Sequence, residues 1–261
     1  MLSSGMDILE SPPYSPVPAR MDSWLRRMDA AADRKALFLR SYGLSTCTLI
    51  AALESDEIRD PEWCLALLDL CAGYYFATLE PVHPFPTMSP PAWEVAHRLT
   101  PDLATSDGDA LLLALNAQIN NDLPQALATV LDREWPVPSL RLRRRHDDFC
   151  TLVDLVADTT TCTSSTWAFA RIVRSWGAGT WETALALVTS GDARWRSAIC
   201  EDLEHAALKR AHVIACMTGL REHLVAMPSH DLHRAFDRLR GGACRCHIAA
   251  ASVDSWVTAS V

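Results

Sequence analysis

The chain has 261 residues, with 24 basic against 32 acidic side chains and a net charge of -8, a balance that argues against a general nucleic-acid or anionic-membrane binder. Hydrophobic residues at 49% and charged residues at 21% argue against disorder. Nine scattered cysteines and the lack of a run of about 18 apolar residues point to a cytoplasmic protein with no disulfide framework and no membrane span.

Ten glycines and little β-branched alternation favour helices. Residues 1–18, rich in Pro and Ser, read as a flexible N-terminal arm. The opening MLSSGMDILESPPYSPVPAR lacks the basic and apolar regions of a signal peptide. Met21, Trp24, Leu25 and Met28 predict a helix over 19–32. Asp33 is the expected cap of a second helix carrying Leu37, Phe38 and Tyr42. Gly43 is its expected end, and a third helix follows with Leu49, Ile50 and Leu53. Asp60-Pro61-Glu62 supplies the cap, first-turn proline and early acid of a helix start. That helix is expected to reach about Leu79 and to contain Leu65, Leu68, Cys71, Ala72, Tyr75 and Phe76.

Pro81 to Pro91 reads as a loop, and 92–99 as a short helix with Trp93. Ser106 to Asp109 caps a central helix over about 111–131, with a kink expected at Pro124. After the linker Trp135-Pro136-Val137-Pro138, helices are predicted over 140–159, 166–175, 180–188, 193–226 and 229–239. Residues 241–261 are left as a tail without assigned structure. No repeat of 20–50 residues occurs, and the linkers are short. The expected fold is all-α: one multi-helix bundle over 19–240, built around the central polar-studded helix.

The central helix, LLLALNAQINNDLPQALATVL, carries Asn116, Gln118, Asn120, Asn121 and Asp122 inside an apolar run. Each buried polar group must be hydrogen-bonded or costs about 1–3 kcal/mol, so such density points to a polar site. Asn116 and Asn120 share one face, Gln118 and Asp122 nearly the opposite one. Asn116, Gln118 and Asn120 are candidates to polarise a carbonyl or enol oxygen, and Asp122 to move a proton; a purely structural role tying helices together stands beside that reading. In the run Arg141 to Phe149, His146 and Asp148 are candidate acid/base groups and Arg145 a candidate anion holder. Simple capping of a helix start accounts for the same acids. Tyr75 and Trp93 are candidate lining aromatics, with Asp69 one turn before the Tyr74-Tyr75-Phe76 cluster. His230-x-x-His233 and Cys244-x-Cys246-His247 are only fragments of metal motifs.

The runs DRKALFLRSYGLSTCTLIAALESDEIRDPEWCLALLDLCAGYYFATL, PPAWEVA, LLLALNAQINNDLPQAL and RRRHDDFCTLVDLV together resemble the bacterial helical family called domain of unknown function 5995. The likeness covers about residues 20–225, and its hallmark is NAHIN-x-DL. Three positions depart from the family pattern. Gln118 stands in place of the hallmark His, Val153 in place of an Asn in a later helix, and Cys71 in place of a Phe. Gln neither titrates nor readily binds zinc, so any chemistry of that His is altered here. Asn116, Asn120, Asp122, Tyr75, Trp93 and Asp148 keep the pattern. The resemblance implies a helical scaffold and a site, and no particular reaction.

The resulting expectation is a cofactor-independent, metal-free enzyme of bacterial secondary metabolism that cyclises, isomerises or otherwise rearranges a lipophilic small molecule. Trp93, Tyr75, Asp69, Asn120 and Arg145 would bind the substrate, with Asp122, Asn116, Gln118, Asp148 and His146 catalytic. Two alternatives stand beside it. One is a Mg- or Zn-dependent hydrolase or terpene-cyclase-like enzyme using His146, Asp147, Asp148 and Asp122. The other is a non-catalytic small-molecule-binding protein. No nucleic acid is expected as partner, and the oligomeric state is open.

Overall fold

The computed structural model describes residues 15–55, 57–80, 90–164 and 167–217, and every regular element among them is helical. They lie in one unit, Met1–Arg221; a second, Glu222–Val261, falls outside the described residues. So do the predicted helix over 229–239, His230, His233, the Cys244–His247 fragment and the tail.

Helix α1 (Val17–Ala30) buries Val17, Met21 and Met28. The expected arm is anchored before residue 18. Ser15 is buried, accepts from the Val17 N–H at 3.2 Å and donates to Asp69 Oδ1 at 2.7 Å. Helix α2 (Ala36–Leu53) runs straight through Gly43, so the two helices predicted there are one. A glycine inside a helix costs about 1 kcal/mol relative to alanine. Burial of Phe38, Leu39, Leu49 and their neighbours outweighs that cost. By length and composition alone helix α2 could cross a membrane, at a mean hydropathy of 1.4, but core helices of the same length and composition are common. In the fold it packs against α1, α3 (Pro61–Leu79), α5 (Asp107–Ala117) and α7 (Ser139–Ser164).

Asp60 accepts from the Trp63 N–H at 3.0 Å and starts α3 where the sequence placed it. Helix α4 (Pro91–Leu99) buries Trp93 completely. Ser106 caps α5 by accepting from the Asp109 N–H at 3.1 Å. A π-helical turn (Gln118–Asp122) joins α5 to α6 (Leu123–Asp132). Helices α2, α3, α4, α8 (Trp167–Thr189) and α9 (Ala193–Met217) surround this central rod.

Helix α8 replaces two predicted helices and continues through Gly177 and Gly179. The reason for Gly177 is proximity. A Cβ there would lie 2.7 Å from Val153 Cγ1 of α7, so the glycine lets α7 and α8 approach closely.

Candidate functional site

The π turn follows from one residue. Pro124 has no N–H to offer the Asn120 carbonyl, and its ring would collide with that oxygen in a regular helix. The chain widens there: the Leu123 N–H bonds the Gln118 carbonyl, five residues back. Carbonyls loosened by the turn find side chains. Gln125 Nε2 donates to Asn121 O at 3.0 Å, and Thr180 Oγ1 of α8 donates to Ile119 O at 3.4 Å.

All five polar side chains of the turn region are buried. Asn116, at 0% exposure, donates from Nδ2 to Ala207 O of α9 at 2.8 Å and accepts from Asn120 Nδ2 at 3.1 Å. This pair ties the central rod to α9. Asp122 accepts from Trp93 Nε1 at 2.8 Å and from Asn121 Nδ2 at 2.8 Å. Burial pushes the Asp122 carboxyl up to about 7, against the two donors, which pull it down.

Gln118 is placed differently. Its Nε2 donates to Cys71 O of α3 at 3.5 Å, and its Oε1 is buried without a partner. It lines a cavity of about 110 Å³ between α2, α3, the π turn, α7 and α8. The remaining wall is almost wholly apolar, with Phe38, Leu68, Leu115, Phe149 and Val173 prominent. Asn116, Asn120 and Asp122 are not among the lining residues. Asp122 nevertheless acts on the wall electrostatically: after burial, its charge helps to raise the Cys71 thiol and, behind the Cys71 charge, the Tyr42 hydroxyl, and both residues line the cavity. Cys64, also lining, is pushed up to about 12, mainly by burial, so its thiol stays protonated.

Tyr75 and Trp93 lie elsewhere, in an aromatic cluster with Phe38 and His97. Ring centroids are 5.1 Å apart for Tyr75–Trp93 and 5.2 Å for the stacked Trp93–His97 pair. The two aromatics border a void of about 10 Å³, room for about one water, and the buried Tyr75 hydroxyl has no side-chain or backbone partner. Burial drops His97 to about 4, so it is neutral, and its Nε2 lies 2.9 Å from Thr78 Oγ1. Asp69 is bonded to Ser15 Oγ rather than to a tyrosine hydroxyl.

The candidates on α7 form a clamp instead of joining the central rod. Asp148 is buried and accepts from the Arg59 N–H at 3.0 Å and the Asp60 N–H at 3.1 Å, holding the start of α3. Arg145 is buried, pairs with Asp60 and with Glu134 at 2.9 Å, and covers the Trp63 ring at 5.0 Å. Asp147 pairs with Arg59 at 2.9 Å. His146 is exposed, with its ring edge against Trp181 at 4.9 Å. Among the described residues, no three His, Cys, Asp or Glu side chains are grouped to hold a metal ion. Sequence reasoning did not single out Ser41 and Ser45, which are buried in α2 and line the cavity. Their i,i+4 spacing inside an apolar run was the available signal.

A family model described as a family of unknown function, DUF5995, matches residues 15–162. The chain belongs to the DUF5995 family. No curated protein and no solved structure matches it. Gln118, Cys71 and Val153, which the sequence reading set apart from the hallmark motifs, all line the 110 Å³ cavity.

Proposed function

We propose that the protein takes up a small lipophilic molecule in the cavity beside Gln118. The observation that carries the reading is the apolar space of about 110 Å³ at the π turn, bordered by helices and by one amide whose oxygen has no partner. Tightly packed cores rarely leave such space, and filling it would normally stabilise the fold. Single-turn π bulges occur often at functional sites, which adds weight to this position. The volume is somewhat below the roughly 150 Å³ of an engineered apolar cavity that takes up benzene, so the guest is about one ring in size. A thermal-shift series with one-ring hydrocarbons tests the reading. The wild type is expected to melt higher with the guest, and Cys71→Phe, which fills the space, to lose that response; a wild type indifferent to every guest contradicts it.

A second reading, catalysis by proton transfer, is favoured by Asp122. Its carboxyl sits at about 7 and influences Cys71 and Tyr42 on the cavity wall. A group poised near neutrality is suited to give and take protons during an isomerisation or cyclisation. Deuterium wash-in next to the carbonyl of cyclohexanone checks this. Exchange above the buffer rate that falls on the order of 10²-fold in Asp122→Asn supports it. Exchange at the buffer rate contradicts it.

A further inference from the structure

The cavity wall says more about its guest than that it is apolar. Among the described residues, no Asp, Glu, Lys, Arg or His side chain lines it. A charged guest would lose its hydration with no counter-charge on that wall to pair with, a cost of several kcal/mol or more. The guest is therefore neutral. Among the lining residues, Gln118 Oε1 is the buried side-chain oxygen without a hydrogen-bond partner. The orientation of the amide is set by its other end: Nε2 faces the Cys71 carbonyl, which can only accept, so the oxygen is the atom left over. Gln118 is 7% exposed, so bulk water does not satisfy that oxygen. A buried acceptor left unmade is costly, and a donor on the guest removes the cost.

Resting on the binding reading above, we infer that the guest is a neutral, ring-sized molecule with a hydroxyl or N–H group, which donates its hydrogen bond to Gln118 Oε1. Leu68, Leu115, Phe149 and Val173 enclose the hydrocarbon part, and the donor end lies at the π turn. Gln118 is then the specificity-determining residue of the cavity. It selects an alcohol, phenol or N–H compound over the hydrocarbon of the same shape. The selection works because the wrong guest leaves the amide oxygen buried and unpaired.

Calorimetric titration of the full chain with phenol, fluorobenzene and benzene tests this. Fluorobenzene is nearly phenol in shape and has no donor. The wild type is expected to bind phenol at least fivefold more tightly than fluorobenzene. In Gln118→Leu that preference should fall by about tenfold or more, because the phenol hydroxyl then loses the unpaired amide oxygen as its acceptor. Should Gln118→Leu not fold, the phenol-to-fluorobenzene comparison in the wild type decides alone. Equal binding of phenol and fluorobenzene by the wild type, or a preference unchanged in Gln118→Leu, overturns the inference and leaves the cavity reading standing. Failure of all three probes to bind overturns both.

Discussion

Trp93 on α4 and Asp122 in the π turn, 29 residues apart, are joined by a buried 2.8 Å hydrogen bond from the indole Nε1 to carboxylate Oδ2. The bond holds the short helix α4 to the widened segment of the central rod. It also opposes the effect of burial on the Asp122 carboxyl, which would otherwise rise further above 3.8 than its position at about 7. Trp93→Phe keeps the aromatic contacts to Phe38 and Tyr75 but removes the donor. The Asp122 carboxyl should then titrate above 7, read by carbon NMR of the labelled side chain. An unchanged or lower midpoint would show that the indole does not support the charge.

The pH dependence of stability has a definite sign. Asp122 holds its proton more tightly folded, at about 7, than unfolded, near 3.8. Its contribution is therefore fully favourable below about pH 4, is lost progressively as pH rises to 7, and changes no further above. The loss is on the order of 4 kcal/mol. In Asp122→Asn this slope should vanish. The new amide can still accept from Trp93 and can donate to Asn121 Oδ1, which has no partner now, once the Asn121 amide rotates. Urea unfolding at several pH values should find Asp122→Asn more stable than the wild type at pH 8 and not at pH 4. The reverse order would contradict the buried-carboxyl account.

Arg145 is expected to act on stability. Its guanidinium lies buried between Asp60 and Glu134 and over Trp63, so Arg145→Met leaves two carboxylates without their shared partner. Because Asp60 and Glu134 stay partly exposed to water, at 40% and 29%, losing their shared partner costs on the order of 1–3 kcal/mol. A denaturation midpoint lowered accordingly, with phenol affinity of the folded protein unchanged, fits a structural clamp. Near-normal stability would return Arg145 to the binding site.

The sequence made the all-helical class legible through apolar spacing, and the caps at Asp60 and Ser106 were readable from local chemistry alone. Glycine misled it twice. Gly43 and Gly177 resemble helix ends in a one-dimensional reading, yet packing keeps both inside helices, and at Gly177 the close approach of Val153 is the reason for the residue. The polar run at 116–122 correctly marked an unusual segment, but not the destinations of its side chains. Asn116 and Asp122 are committed to Ala207 O and Trp93, partners distant in the chain and invisible to helical periodicity. The π turn itself shifts the angular positions that a 3.6-residue repeat assigns. Gln118 alone of the candidate catalytic and binding residues reaches the cavity, and the lining serines of α2 went unnoticed because they look like interruptions in an apolar helix.

The central claim is that the space beside Gln118 admits an apolar guest. Crystallography under xenon pressure addresses it directly, since xenon enters apolar cavities without needing a polar partner. The account predicts xenon density enclosed by Leu68, Leu115, Phe149 and Val173, present in the wild type and absent in Cys71→Phe. A wild-type crystal in which the helices close over that volume and no xenon enters would contradict it.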